Sequence, residues 1–462
     1  MSLLINNKKY NSIHFTGILG SGMSAIAQYL RWDGLNISGS DRLLASEDTA
    51  SNRDILKSMG CKLFNQDGEG INEAIEAICI SSAIEDTNPE IIAAKRFNIP
   101  VLHRSDVLAA IVSSKKTIAV AGTSGKSTVT AMIFEFLSYC GKAPSLISGA
   151  ALKRLESTGL IGNAFHGSSD LLVIEADESD GTLTKYHPYI SIILNVSKDH
   201  KPIPELMELF RTLIEHTLLP IVNNDDPLLR ALNTEETFGI LSDAKWKADK
   251  YILDKLSGTL VMNEIQYTLN LPGIHNLSNL AAALSVCKLT SCDELKLAEA
   301  VQTYEGVARR FTIHKTSNDV YIVDDFAHNP EKIKAAVNAA RNLSSKLIAI
   351  YQPHGFGPTR FLKDDYVETF KSIFKKGDTL FLLPIYYAGG TAQKDISSRM
   401  LIDAMGEIEF SAVAVSNREE LLKQLIPITM KGICILSMGA RDPSLGNFAL
   451  NITKHIESLD IN

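Results

Sequence analysis

Ala121-Gly122-Thr123-Ser124-Gly125-Lys126-Ser127-Thr128 follows the apolar run Thr117-Ile118-Ala119-Val120 and precedes a helix-like stretch from Val129 to Tyr139. A strand, a glycine-rich turn ending in Lys-Ser and a helix together make a phosphate cradle. Glycines let backbone N–H groups approach an anion, and the helix N-terminus adds partial positive charge. In this reading Gly122, Thr123, Ser124, Gly125 and Thr128 shape the loop, Lys126 reaches the terminal phosphates of ATP, and the Ser127 hydroxyl holds Mg²⁺. The loop departs from a Walker A, because Val120 stands where that pattern has its first glycine. The competing reading is an ordinary strand-to-helix turn.

The flanking sequence continues the alternation of strand and helix. Ser12 to Thr16 reads as a strand, Met23 to Trp32 as a helix and Asn36 to Ser38 as a second strand. Leu171 to Ile174, Ile190 to Leu194, Val320 to Val323, Leu347 to Ile350 and Thr379 to Leu383 extend the series. Such alternation predicts parallel βαβ units and an α/β fold. The chain has 462 residues, 45% hydrophobic and 21% charged, an ordinary globular composition. The expected division is 1–113, 114–309 and 310–462. The net charge of −7 argues against a nucleic-acid or anionic-membrane partner. The six cysteines show no CxxC spacing, so neither a zinc site nor a disulfide framework is indicated. No signal peptide or membrane span is visible, and a cytoplasmic location is the expectation.

A second cradle-like turn, Gly17-Ile18-Leu19-Gly20-Ser21-Gly22-Met23, follows the first strand. It reads GxxGxG, not the GxGxxG of dinucleotide sites. Asp41, which ends Ser38-Gly39-Ser40-Asp41, reads either as a ribose-contacting acid or as a cap or turn residue. Farther on, Glu175-Ala176-Asp177-Glu178-Ser179-Asp180 ends a predicted strand, where ligands of open α/β sheets gather. Four carboxylates in six residues call for a cation. Glu175 is the expected metal ligand, while Asp177, Glu178 and Asp180 read equally as turn residues. His200 follows the next strand and reads either as a second metal ligand or as structural.

Taken in order, these markers resemble the Mur ligases, most closely the UDP-N-acetylmuramate–L-alanine ligases and the muropeptide-recycling ligases. The series continues through Ser81 to Ile84, Gly273-Ile274-His275-Asn276-Leu277-Ser278-Asn279, Gly306 to Phe311, Asp324-Asp325-Phe326-Ala327-His328 and Gln352-Pro353-His354. The resemblance implies a Rossmann-like N-terminal domain for a UDP-sugar, a central P-loop ATPase-type sheet and a Rossmann-like C-terminal domain for the amino substrate. It implies that Gly17, Gly20, Ser21, Gly22, Met23, Ser40, Asp41, Ser82 and Arg104 serve the UDP-sugar. His275, Asn276, Asn279, Arg310 and Asp325 would serve ATP. Lys126, Glu175 and His200 would be catalytic, with Ser127, Glu175 and His200 holding metal. The implied reaction is amide formation in peptidoglycan precursor synthesis or recycling. A carboxylate attacks the γ-phosphate of ATP, and an amine displaces phosphate from the acyl phosphate. The implied state is a monomer or homodimer.

The chain also departs from the family pattern. The usual GTHGKT loop is GTSGKS, and Leu19 replaces a glycine in the first cradle. Lys201 to Pro204 stands where alanine ligases carry an acidic, histidine-rich run. In the amine pocket Phe326 takes a tyrosine position, His328 and His354 are kept, and Gly355 and Pro358 stand where two arginines are usual. Arginine suits bidentate carboxylate recognition, so Arg360 or Arg441 is expected to compensate. The segment Gly355 to Pro358 reads either as a loop making room for a larger amine or as a plain surface loop. Two other function classes are a non-catalytic UDP-sugar sensor and a nicotinamide oxidoreductase. The retained phosphoryl clamp argues against the first, and the glycine spacing against the second.

Overall fold

The computed structural model describes residues 2–178, 181–197, 201–387, 392–442 and 444–458. Its compact units are two. The first is 1–251 with 259–269 and 277–308, and the second is 252–258 with 270–276 and 309–462.

The first unit holds two parallel sheets. After a hairpin (Leu3–Ile5, Lys8–Tyr10), five strands follow: β1 Ser12–Thr16, β2 Asn36–Ser40, β3 Lys62–Phe64, β4 Ala77–Ile80 and β5 Val101–His103. Their spatial order is β3-β2-β1-β4-β5, all parallel. The chain reverses direction across the sheet between β1 and β4, and ligands bind outside the carboxyl ends of strands at such a point. The turn from β1 into helix α1 (Ser21–Trp32) lies there.

The second sheet comprises β6 Lys116–Ala121, β7 Ser145–Ile147, β8 Ala164–Phe165, β9 Leu171–Glu175, β10 Ile190–Ile193, β11 Leu219–Asn223, β12 Glu236–Gly239 and β13 Trp246–Lys247. The order is β8-β7-β9-β6-β10-β11-β12-β13. Only the β7–β8 pair is antiparallel. The inner strands lack polar alternation because both faces are covered. Ile118 to Ala121, Val173, Ile174, Ile192 and Ile193 are fully buried, as parallel strands between helix layers must be. Helix α2 (Lys126–Tyr139) is buried from Ser127 to Leu137, and each large apolar side chain there contributes about 1.5–3 kcal/mol of burial. This helix starts three residues before the expected Val129, at the lysine of the phosphate loop.

In the second unit a six-stranded sheet contains β14 Thr312–Lys315, β15 Tyr321–Asp325, β16 Leu347–Tyr351, β17 Thr379–Leu382, β18 Ser411–Ala414 and β19 Cys434–Met438. Its order is β14-β15-β19-β16-β17-β18, with only the edge pair β14–β15 antiparallel. Apolar cores lie on both faces of this sheet. The stretch expected to be a loop at Gly355 to Pro358 instead leads into a short helix, Phe356–Phe361. Pro358 is tolerated because it sits in the first turn, whose N–H groups have no intrahelical acceptor. Among the described residues no helix is long and apolar enough to cross a membrane.

Candidate active site

The phosphate loop joins β6 to α2. Gly125 occupies the N-cap in the left-handed region, φ 87°, a conformation that side chains with a Cβ disfavour. A Cβ there would also lie 2.5 Å from Oδ1 of Asn279, so the loop and Asn279 are in close approach. Asn195, at the end of the neighbouring strand, pins the loop from the other side. Its Oδ1 accepts the Thr123 hydroxyl and the Ser124 N–H, each at 2.9 Å, and its Nδ2 donates to the Ser124 carbonyl at 2.9 Å. Ser124 therefore contributes backbone to the loop.

Charge converges on this loop. Lys126 Nζ lies 2.7 Å from Glu178 Oε2 and donates to the Gly122 carbonyl at 2.8 Å. Both side chains of the ion pair are largely buried, 12% and 4% exposed. Burial disfavours the Lys126 ammonium, but Glu178, Asp177 and Glu175 outweigh it and hold its pKa above the usual value. Burial pushes Glu178 up, against the pull of Lys126. The Ser127 hydroxyl sits 3.0 Å from each oxygen of Glu175. The Glu175 carboxylate also accepts the Gly149 N–H at 3.0 Å and faces the Ser148 hydroxyl at 3.4 Å. Glu175 is the last residue of β9, not the first after it, and Glu178 is engaged with Lys126 instead of serving only a turn. Asp180 and His200 lie outside the described residues.

The first cradle is closed against β2: the N–H groups of Gly17 and Ile18 donate to the Ser40 carbonyl at 2.7 and 3.1 Å. Asp41 staples the loop by accepting the Leu19 and Leu43 N–H groups, each at 2.9 Å. Gly20 is the N-cap of α1, Ser21 opens the helix and Met23 is buried beneath it. The Arg104 guanidinium lies over Gly22, where a Cβ would come within 2.7 Å of Nη1. Ser82 is exposed in the turn after β4. One cleft runs from the first cradle to the Glu175 carboxylate, lined by Gly22, Arg104, Ser148, Glu175, Asp177 and Tyr186 among others.

The remaining expected residues lie mostly in the second unit. Asp325 accepts the Phe311 and Ala327 N–H groups, each at 2.8 Å. Arg310 lies over the Phe326 ring, 4.7 Å from its centroid, and is bracketed by Arg309 and Phe311, both at positive φ. The rings of Phe326, His328 and His354 form a row with centroids 5.7 and 5.5 Å apart. Arg360 is engaged by Asp395 and the Gln393 carbonyl, apart from that row in its hydrogen bonding. Asn276 is buried and donates to the Pro272 carbonyl at 2.8 Å, while His275 is exposed. Sequence reading missed Asn195, Ser148, Gly149 and the Lys126–Glu178 pair. Asn195 lies five residues before His200, in the stretch after the predicted strand Ile190 to Leu194.

Comparison with known proteins accords with this architecture. Three family models match in succession: Mur ligase family, catalytic domain (residues 12–116), Mur ligase middle domain (120–287) and Mur ligase, glutamate ligase domain (309–441). The UDP-N-acetylmuramate–L-alanine ligase of Dictyoglomus turgidum is 34% identical over 460 residues, 95% of each chain. That of Syntrophomonas wolfei is 32% identical over 452 residues, 93% of this chain and 94% of the relative. The crystal structure of the Thermotoga maritima UDP-N-acetylmuramate–alanine ligase MurC superposes with a TM-score of 0.77 at 24% identity, covering 97% of this chain and 99% of that one. A murein peptide ligase from Psychrobacter arcticus superposes at 0.69 with 18% identity, covering 98% and 100%. The chain belongs to the Mur ligase family.

Proposed function

We propose that this protein is an ATP-dependent amide ligase that joins the carboxylate of UDP-N-acetylmuramate to the amine of L-alanine. The observation that carries the reading is that Glu175, whose carboxylate meets the Ser127 hydroxyl of the phosphate loop, lines the same cleft as Gly22 and Arg104. Relatives alike over nearly the whole chain are named for this reaction.

In this reading the loop N–H groups and Lys126 hold the β- and γ-phosphates of ATP. The sugar nucleotide's diphosphate rests on the N-terminus of α1 beneath Arg104, which directs its carboxylate along the cleft toward the γ-phosphate. The Ser127 hydroxyl and Glu175 carboxylate form a hard-oxygen pair that fits Mg²⁺, a cation bound through one or two protein ligands plus phosphate and water. Mg²⁺ would supply charge neutralisation at the phosphoryl oxygens. Carboxylate oxygen attacks phosphorus, the bond to ADP breaks, and an acyl phosphate forms. The amine then attacks the acyl carbon, loses a proton and expels phosphate. Lys126 stays charged through this sequence because three acidic neighbours hold its proton, so it opposes the charge that develops on the transferring group. Phe326, His328 and His354 are proposed to face the amine, and His275, Asn276, Asn279, Arg310 and Asp325 to serve ATP.

The test is release of ADP and phosphate with Mg-ATP and UDP-N-acetylmuramate across a panel of amines, with products identified by mass. Release with L-alanine and a product one alanine heavier supports the reading. Release only with a stem peptide moves the amine to the recycling type. Binding of both nucleotides without turnover on any amine contradicts it.

A further inference from the structure

A buried polar contact outside both cradles links them. Asn163 immediately precedes β8 of the second sheet and is 2% exposed. Its Nδ2 donates to the Ser21 carbonyl at 2.7 Å and to the Ser24 hydroxyl at 2.9 Å, both in the first turn of α1. Its Oδ1 accepts Gln28 Nε2 at 2.9 Å, one turn farther along that helix. Ser24 and Gln28 are themselves 1% and 0% exposed.

From its other side, the Asn163 carbonyl accepts the Ser148 N–H at 2.9 Å. Ser148 and Gly149 are the residues that hold Glu175, and Glu175 meets Ser127. A continuous run of hydrogen bonds thus leads from the helix that would cradle the sugar nucleotide, through Asn163, to the carboxylate beside the phosphate loop. All of these residues lie in one compact unit.

An apolar contact would pack the two layers without fixing their register, since apolar burial is non-directional. An amide that donates to one turn of a helix and accepts from the next, and whose backbone is tied to the opposite sheet, fixes translation and rotation together. Its groups are also costly to leave unpaired in such a site.

We propose that Asn163 is a positioning residue that sets the span between the sugar-nucleotide cradle and the phosphate loop, so that the substrate carboxylate arrives in line with the γ-phosphate. The inference rests on the ligase reading above. Misplacement by about 1 Å costs on the order of 100-fold in rate, so the residue acts through kcat from a buried position.

The experiment is steady-state kinetics of the full chain and its Asn163→Ala variant with Mg-ATP, UDP-N-acetylmuramate and L-alanine. Thermal melting and calorimetric binding of each nucleotide accompany it. The expected result is a kcat about 10- to 100-fold lower, with KM for ATP and both nucleotide affinities near parental. A parental kcat in folded Asn163→Ala, whatever its melting temperature, overturns the proposal, because a purely structural residue changes stability and not turnover per folded molecule. Should that variant not fold, Ser24→Ala removes one Nδ2 contact. It is expected to lower kcat severalfold, and unchanged kcat again overturns the proposal. Absence of turnover in the parent would instead overturn the ligase reading and the proposal with it.

Discussion

The turn after Thr16 and the turn after Ala121 both lead from an inner parallel strand into a buried helix, yet they are furnished differently. The first has no charged side chain within Gly17 to Met23. Its shape comes from Asp41 and the Ser40 carbonyl, and the cation over Gly22, Arg104, arrives from another helix. The second carries its own lysine and hydroxyl and draws Glu175 from the end of the neighbouring strand and Glu178 from the turn after it. A helix N-terminus alone can hold a phosphate that stays intact. Transferring a phosphoryl group requires opposed charges fixed beside it. Under the proposed function, the comparison separates a cradle for cargo from a cradle for chemistry.

Lys126→Ala should break the second cradle most severely. We expect a loss of ATP turnover of at least about 100- to 1,000-fold, the scale of removing one transition-state charge donor, with calorimetric UDP-sugar binding retained. Parental turnover would mean that the two cradles have been assigned the wrong way round. Glu175→Gln should come next. Removing the charge while keeping the shape is expected to raise the Mg²⁺ concentration for half-maximal activity by about 10- to 100-fold, read by titrating Mg²⁺ at fixed ATP. An unchanged titration would detach Glu175 from the metal.

Arg104→Ala sharpens the comparison from the other side. A charge-assisted hydrogen bond to phosphate contributes about 1.5–3 kcal/mol, so UDP-N-acetylmuramate should bind roughly 10-fold more weakly or worse, with ATP affinity unchanged. Equal losses for both nucleotides would argue that Arg104 serves the cleft as a whole.

The smallest effect concerns the helix of the second cradle. Burial pushes the Glu135 carboxyl up to about 8 from an ordinary 4.5, against the opposing pull of Arg154. The folded chain therefore keeps this proton where the unfolded chain has lost it, and Glu135 lowers stability progressively as pH rises from about 4.5 to 8. Glu135→Gln should melt higher than the parent near pH 8, with the gain fading toward pH 4.5. A gain independent of pH would assign the effect to packing.

The sequence was informative where chemistry is written in contiguous residues. The strand–turn–helix around Gly122 to Ser127 and the strand-end place of Glu175 were legible because glycines, a hydroxyl and a carboxylate there follow or end clear apolar runs. The partner of Lys126 was not legible, since the turn after β9 decides whether Glu178 or Asp177 faces the lysine. Asn163 carried no signal, being a lone asparagine whose contacts with Ser21 lie 142 residues away in the chain. The stretch Gly355 to Pro358 misled because glycine and proline read as loop-forming, whereas a proline in the first turn leaves the helix Phe356–Phe361 intact. The proposed amine pocket was the least legible part. Its aromatic row depends on residues from separate strand ends, and Arg360, expected there, is bound to Asp395.

The most direct measurement follows the oxygen atoms of the substrate carboxylate. With UDP-N-acetylmuramate labelled there by the heavy oxygen isotope, and with Mg-ATP and L-alanine supplied, the account predicts that each phosphate released carries one labelled oxygen, transferred when the carboxylate attacked the γ-phosphate. Release of phosphate without label, alongside amide product, would contradict activation of the carboxylate by phosphorylation.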